Sequence, residues 1–342
     1  MTQTSRRSTM VDVAREAGVS LKTVSRVLNE ENYVREETRL AVLEVAEKLN
    51  YKLNQAARTL RGGSAQIVAL LVDNPSPSYL ENVHLGALKQ CHDLSMQLVL
   101  DECSDGVEGV RRILQTLSPV GLIVTPPLCD NPEVIDLLES QHISYVLVAP
   151  SDPNAVRLSV NIDDVAAARE ITEYLLNLGH RRIGYIRGHP DHSASGKRYQ
   201  GYCEALAKYG LEPDEDLIRQ GFFDYSSGLQ AAESLLDMEI PPTAIFASND
   251  DMAAATIAAA YRRHIDVPQQ LSIVGFDDAP IAAIISPQLT TVRQPISELA
   301  ARAVSLLSDN ISRRLTGEKD ENTIFLDHSV IERDSAAPPL AQ

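Results

Sequence analysis

Apolar and polar positions along this chain follow two rhythms. Over residues 10–49 the apolar positions recur every three or four residues in short stretches, which is the helical period. Val13, Ala14 and Ala17 share a face of a first segment, and Val24, Val27 and Leu28 share a face of a second. Leu40, Leu43, Ala46 and Leu49 form the apolar stripe of a third, Glu36 to Leu49. Thr9 and Asp12 make a capping-box pair ahead of the first helix, Gly18 allows a tight turn after it, and Ser20 caps the second. From Ile67 the rhythm changes. Short apolar runs IVALLV (67–72), MQLVL (96–100), GLIVT (121–125) and YVLV (145–148) alternate with helix-length stretches. A second series follows, RIGYI (182–186), LIRQG (217–221), TAIFA (243–247) and LSIVG (271–275). Such alternation predicts parallel sheets covered by helices, and two series predict two Rossmann-like lobes.

The chain therefore divides into a small all-α helix-turn-helix head, residues 1–52, and an α/β body of two lobes, residues 65–333. Between them, residues 53–64 read as one short helix with Asn54 as N-cap and Gly62 as its stop. A helix this short is not stable alone, so it is expected to form only when something outside the segment supports it. Residues 334–342, with Pro338-Pro339, are expected to be a flexible tail.

Charge sharpens this division. The net charge of −16 argues against nucleic acid until it is mapped: residues 1–63 hold 11 basic and 8 acidic side chains, a net +3, which leaves −19 on the remainder. A basic head can approach phosphates while an acidic body is repelled from them. No apolar run approaches the ~18 residues of a membrane helix, and no cleavage site follows Arg6 and Arg7, so a cytoplasmic location is expected. Cys91, Cys103, Cys129 and Cys203 form no CxxC pair, which signals neither zinc nor a disulfide framework.

The polar face of the second helix carries Lys22, Thr23, Ser25, Arg26 and Asn29 beside Leu21. Lys and Arg can reach guanine edges, and hydroxyls and Asn can hold phosphates, so this is the composition of a recognition helix. In the body, ligands of such folds bind beyond the carboxyl ends of the strands. The candidates there are Asp73 and Tyr79 in VDNPSPSY, Thr125, Arg198, Phe223, Asn249 and Asp277. Carboxylate and amide acceptors, a forked guanidinium and a ring suit a ligand bearing several hydroxyls. Asn249 and Asp250 also read as N-caps of the helix that follows them. Asp163-Asp164 and Asp277-Asp278 lack the His or third carboxylate of a metal site, and His189 and His192 read as a loop at the cleft mouth. The stretch from Gly188 to Lys197 has the wrong spacing for a phosphate loop, and neither a G-x-S-x-G elbow nor a GxGxxG turn is present. No catalytic machinery, metal or cofactor is expected.

The string TMVDVAREAGVSLKTVSRVLN resembles, almost residue for residue, the head of the LacI family of bacterial transcriptional regulators. The resemblance continues through the body, which in that family is a periplasmic-binding-protein-like pair of lobes, type I. It implies that Leu21, Lys22 and Arg26 meet base edges, with Ser20, Thr23, Ser25 and Asn29 positioning on phosphate. It also implies that residues 53–64 pair with their twin in the minor groove, where Asn54, Ala57 and Arg58 contact DNA and Leu60 wedges into the central base step. Leu53 departs from the proline usual there. The expected partners are thus a double-stranded palindromic operator, a second copy of the chain in a homodimer, and a small effector, without a membrane. A sugar or sugar derivative that releases the repressor is preferred; a nucleobase or nucleoside acting as corepressor is the alternative. An exported sugar-binding protein would lack the head, and an enzyme of doubly wound fold would need a nucleophile, metal set or dinucleotide loop.

Overall fold

The computed structural model describes residues 9–28, 34–49, 66–154, 158–314 and 322–340. The chain separates into two compact units, Met1–Ala65 and Gln66–Gln342.

The first unit packs α1 (Met10–Glu16), α2 (Leu21–Leu28) and α3 (Glu36–Lys48) around Val13, Ala14, Val24, Val27, Val42 and Ala46. The capping box forms: Thr9 Oγ1 accepts from the Asp12 amide, and Asp12 Oδ2 accepts from the Thr9 amide at 2.9 Å. Gly18 has φ +66° in the turn, the left-handed conformation glycine adopts without strain. The expected stripe on α3 holds at Ala46, which is buried, and at Leu49, which packs against the core, but not at its start. Leu40 and Leu43 are 60% and 44% exposed, and Val42 is fully buried in their place. Apolar residues stand on several sides of this helix, so periodicity alone does not choose between 40/43 and 42 as the partners of Ala46.

The second unit begins with β1 (Ile67–Val72), α4 (Pro77–Asp93), β2 (Gln97–Glu102), α5 (Val107–Leu117), β3 (Gly121–Val124), α6 (Pro132–Ser140), β4 (Tyr145–Val148) and β5 (Leu158–Asn161). It continues with α7 (Asp164–Asn177), β6 (Ile183–Arg187), α8 (Ser193–Lys208), β7 (Ile218–Gln220), α9 (Tyr225–Leu236), β8 (Ala244–Ala247), α10 (Asp250–Arg262), β9 (Ser272–Asp277), α11 (Pro280–Ile284) and β10 (Thr290–Arg293). α12 (Ile296–Arg314), β11 (Asn322–Phe325) and β12 (Ser329–Ile331) complete it. Two six-stranded sheets result, ordered β11-β5-β4-β3-β1-β2 and β12-β10-β9-β8-β6-β7. All pairings are parallel except β10 with β12. The chain passes between the lobes three times, after Asn161, Arg293 and Phe325. Central strands such as IVALLV are apolar along their length because helices cover both faces of each sheet.

The segment expected as a flexible tail is packed against the second lobe instead. Ser335 is fully buried; its hydroxyl donates to the Ile273 carbonyl at 2.6 Å and accepts from the Thr290 amide at 2.8 Å. The Ala337 carbonyl accepts from the Ser272 hydroxyl at 2.9 Å and lies 2.9 Å from His180 Nε2. Proline prevents regular ladder pairing, but these single bonds still satisfy backbone groups of β9 and β10 that would otherwise be buried without partners.

Candidate nucleic-acid interface and candidate ligand cleft

In the first unit, Ser20 Oγ accepts from the Thr23 amide at 3.1 Å, and the two hydroxyls bond at 2.8 Å. Ser20 thus caps α2, while Leu21 and Lys22 are exposed at the helix start and Ser25 and Arg26 are half-buried. Lys48 Nζ pairs with Glu16 at 3.1 Å and ties α3 to α1. Asn29 and the positions expected in the minor groove, Asn54, Ala57, Arg58 and Leu60, lie outside the described residues.

In the second unit, residues from both lobes enclose a cavity of about 490 Å³ counted out to its open mouth. Five of the candidates share its lining: Tyr79, Arg198, Phe223, Asn249 and Asp277. Two do not, and each is a correction. Thr125 is fully buried, and its hydroxyl donates to the Leu71 carbonyl at 3.0 Å, so Pro126 rather than Thr125 reaches the cavity. Asp73 stands outside the lining, where burial and then Glu102 raise its carboxyl pKa.

Arg198 anchors the floor. Its Nε donates to Asp164 Oδ1 at 2.9 Å and its Nη1 to the Ser248 carbonyl at 2.6 Å, with Asp277 Oδ1 at 3.5 Å. The guanidinium carbon lies 3.7 Å from the centre of the Phe276 ring, a cation–π contact. Burial opposes its charge, but Asp164 and Asp277 outweigh burial and raise its pKa. Asp277 is itself pushed up to about 7, by burial first, against the opposing pull of Arg198 and a hydrogen bond from Gln294 Nε2. Asn249 does act as the N-cap of α10, with Oδ1 accepting from the Met252 amide, while Nδ2 donates to the Phe223 carbonyl. Asp250 points away into the core, accepting from Thr291 Oγ1 and the Ala279 amide.

The backbone is strained where it meets the cleft. Phe223, Asp277 and Asp278 have φ of +63°, +117° and +55°, a region non-glycine residues avoid. Asp278 is held there by Arg293 at 2.7 Å and Arg333 at 2.6 Å. Gly188 admits the Phe223 ring: a Cβ at Gly188 would lie 2.0 Å from it. His192, edge-on to Phe223, is buried and drawn down to about 4 by that burial, so it is neutral.

The reading from sequence missed Asn74, Ser76, Asp164 and Gln294 in the lining. Asp164 and Gln294 follow β5 and β10, two short strands with polar sequences, LSVN and TTVR, that showed no apolar run. Among the described residues, no group of three or more His, Cys, Asp or Glu is placed to hold a metal, and no helix is long and apolar enough to cross a membrane.

A family described as bacterial regulatory proteins, lacI family, matches residues 9–54, and a periplasmic binding protein-like domain matches residues 172–336. The chain is 32% identical over 340 residues to the HTH-type transcriptional regulator DegA of Bacillus subtilis (strain 168), covering 97% of this chain and 99% of DegA. The Lac repressor dimer bound to operator and the anti-inducer ONPF superposes with a TM-score of 0.81 at 25% identity, covering 97% of this chain and 100% of the other. The transcriptional regulator CelR in its cellobiose complex gives 0.71 at 29% identity, covering 96% and 100%. A three-helix head and a two-lobed body with a polar cleft define the class, a helix-turn-helix transcriptional regulator. The chain belongs to the lacI family of bacterial regulatory proteins and is a DNA-binding transcriptional repressor.

Proposed function

We propose that the protein is a homodimeric repressor that grips a palindromic operator and releases it when a neutral sugar or sugar derivative fills the cleft. The observation that carries this reading is the floor of the cavity. Its guanidinium is already balanced by Asp164 and Asp277, so it offers hydrogen-bond geometry without net positive charge to attract an anion. Asn74 and Gln294 add amide groups, and Phe223 adds a ring at the wall. Such a set recognises hydroxyls, each as donor or acceptor, better than phosphate or carboxylate. The structural relative CelR is in complex with cellobiose, a sugar, which agrees with this ligand class.

On DNA, Leu21, Lys22 and Arg26 read base edges while Ser20, Thr23, Ser25 and Asn29 hold phosphate. Asn54, Ala57, Arg58 and Leu60 engage the minor groove of the operator centre.

The test is selection of bound sequences from a random duplex pool by the full chain, followed by binding of the recovered duplex with a panel of neutral sugars. An enriched palindrome whose affinity falls about tenfold or more with one sugar is expected. Enrichment that requires an added nucleobase would replace the sugar with a corepressor. No enrichment under either condition would overturn the operator reading.

A further inference from the structure

The two lobes are fastened to each other by direct hydrogen bonds between side chains across the cleft. At the start of α4 in the first lobe, Ser76 is 2% exposed and lines the cavity. Its hydroxyl donates across the cleft to Asp251 Oδ2 at 2.7 Å. Ser78 reaches the other oxygen, Oδ1, at 3.4 Å. Asp251 stands in the first turn of α10 in the second lobe, where the helix dipole already favours a negative charge.

The serine side is built to hold its position. Asn74 Oδ1 accepts from the Ser76 amide at 2.9 Å, and Ser76 Oγ accepts from the Tyr79 amide at 3.3 Å while donating to Asp251. One hydroxyl therefore caps α4 and clasps the opposite lobe. A second crossing, Lys197 Nζ to the Pro150 carbonyl at 2.8 Å, lies elsewhere along the cleft and follows the same pattern of charged donor or acceptor against a neutral partner. A charge-assisted hydrogen bond is stronger than a neutral one, and at Asp251 one carboxylate gathers two hydroxyls from the opposite lobe, so this clasp carries weight in the balance between joined and separated lobes.

We propose that Asp251 with Ser76 and Ser78 is a latch that holds the two lobes together across the cleft and thereby sets the concentration at which an effector acts. The latch itself does not depend on the identity of the effector; only its consequence for regulation rests on the cleft being the effector site. An equilibrium between closed and open bodies taxes any ligand that binds one state by the fraction in that state. Removing the latch shifts that fraction, and so shifts the response.

The test is hydrogen–deuterium exchange on the full chain without any ligand, comparing the wild type with Asp251→Ala, Ser76→Ala and the double variant. Asp251→Ala is expected to raise exchange at least about threefold in residues 74–80 of the opposite lobe. Ser76→Ala is expected to raise it in residues 249–253, and the double variant to add little to either. Should Asp251→Ala fail to fold, Asp251→Asn, which keeps one acceptor, is expected to give a smaller change in the same segment. Increases confined to the mutated residue's own helix, or additive effects in the double variant, would overturn the latch. If the latch stands while no sugar or nucleobase alters DNA binding, the ligand reading fails and the latch does not.

Discussion

Asp277 lines the cleft as a buried carboxyl, at a cost to stability. Its pKa stands near 7 in the fold against an ordinary 3.8, because burial outweighs the nearby guanidinium. The folded state then holds a proton that the unfolded state has released. The contribution is fullest below about pH 4 and is lost as pH rises through about 7. Asp277→Asn keeps an acceptor for Gln294 without the charge. Its melting temperature is expected to gain on that of the wild type by roughly 5 °C between about pH 5 and about pH 8. Parallel melting curves of the two proteins over that range would contradict the assignment. Gly188 makes a different point: it has no side chain because a ring occupies that space. Gly188→Ala forces the Phe223 ring to move and is expected to cost about 1–3 kcal/mol in chemical denaturation, the usual range for overpacking.

At the level of elements, the segment that follows β12 acts as a brace. Ser335 satisfies one donor and one acceptor from two neighbouring strands. Ser335→Ala leaves the Thr290 amide and the Ile273 carbonyl without that partner, and a loss of about 1–3 kcal/mol is expected in urea titration. Nothing in DSAAPPL announced this role, since its bonds are single and irregular. The contrast with the central strands is physical. IVALLV and TAIFA declared themselves because burial on both faces demands apolar residues throughout, whereas LSVN, TTVR, NTIF and SVI are short strands without such a run. Residues placed by the legible strands, Asn249 and Asp277, were found; Asp164 and Gln294, placed by the others, were not. Thr125 also followed a legible strand, yet its hydroxyl turned inward to Leu71, a choice that sequence position does not encode. In the head, the caps at Thr9 and Ser20 were readable because they rest on local spacing alone.

For the whole molecule, the division of charge governs how DNA binding responds to salt. A head of net +3 carries the phosphate contacts, while the remainder at −19 contributes repulsion. Affinity for the selected duplex is expected to fall steeply as salt rises, with a log–log slope near −0.9 for each phosphate neutralised. Lys22→Ala, at a position proposed to read a base edge, is expected to weaken binding, to relax the sequence preference at one position and to leave that slope unchanged. A slope shallower by about one would place Lys22 on a phosphate instead.

The three passages between the lobes have a consequence for biosynthesis. Neither sheet is contiguous in the chain: β11 and β12 are the outer strands of the two sheets, and both follow every other element of the body. A ribosome therefore releases the head, which carries its own core, long before the body can finish either edge. A chain stopped at residue 321 lacks both strands and the Ser335 brace together. Its body is expected to show no cooperative transition by circular dichroism, while the head, built around a core of its own, still melts as a unit.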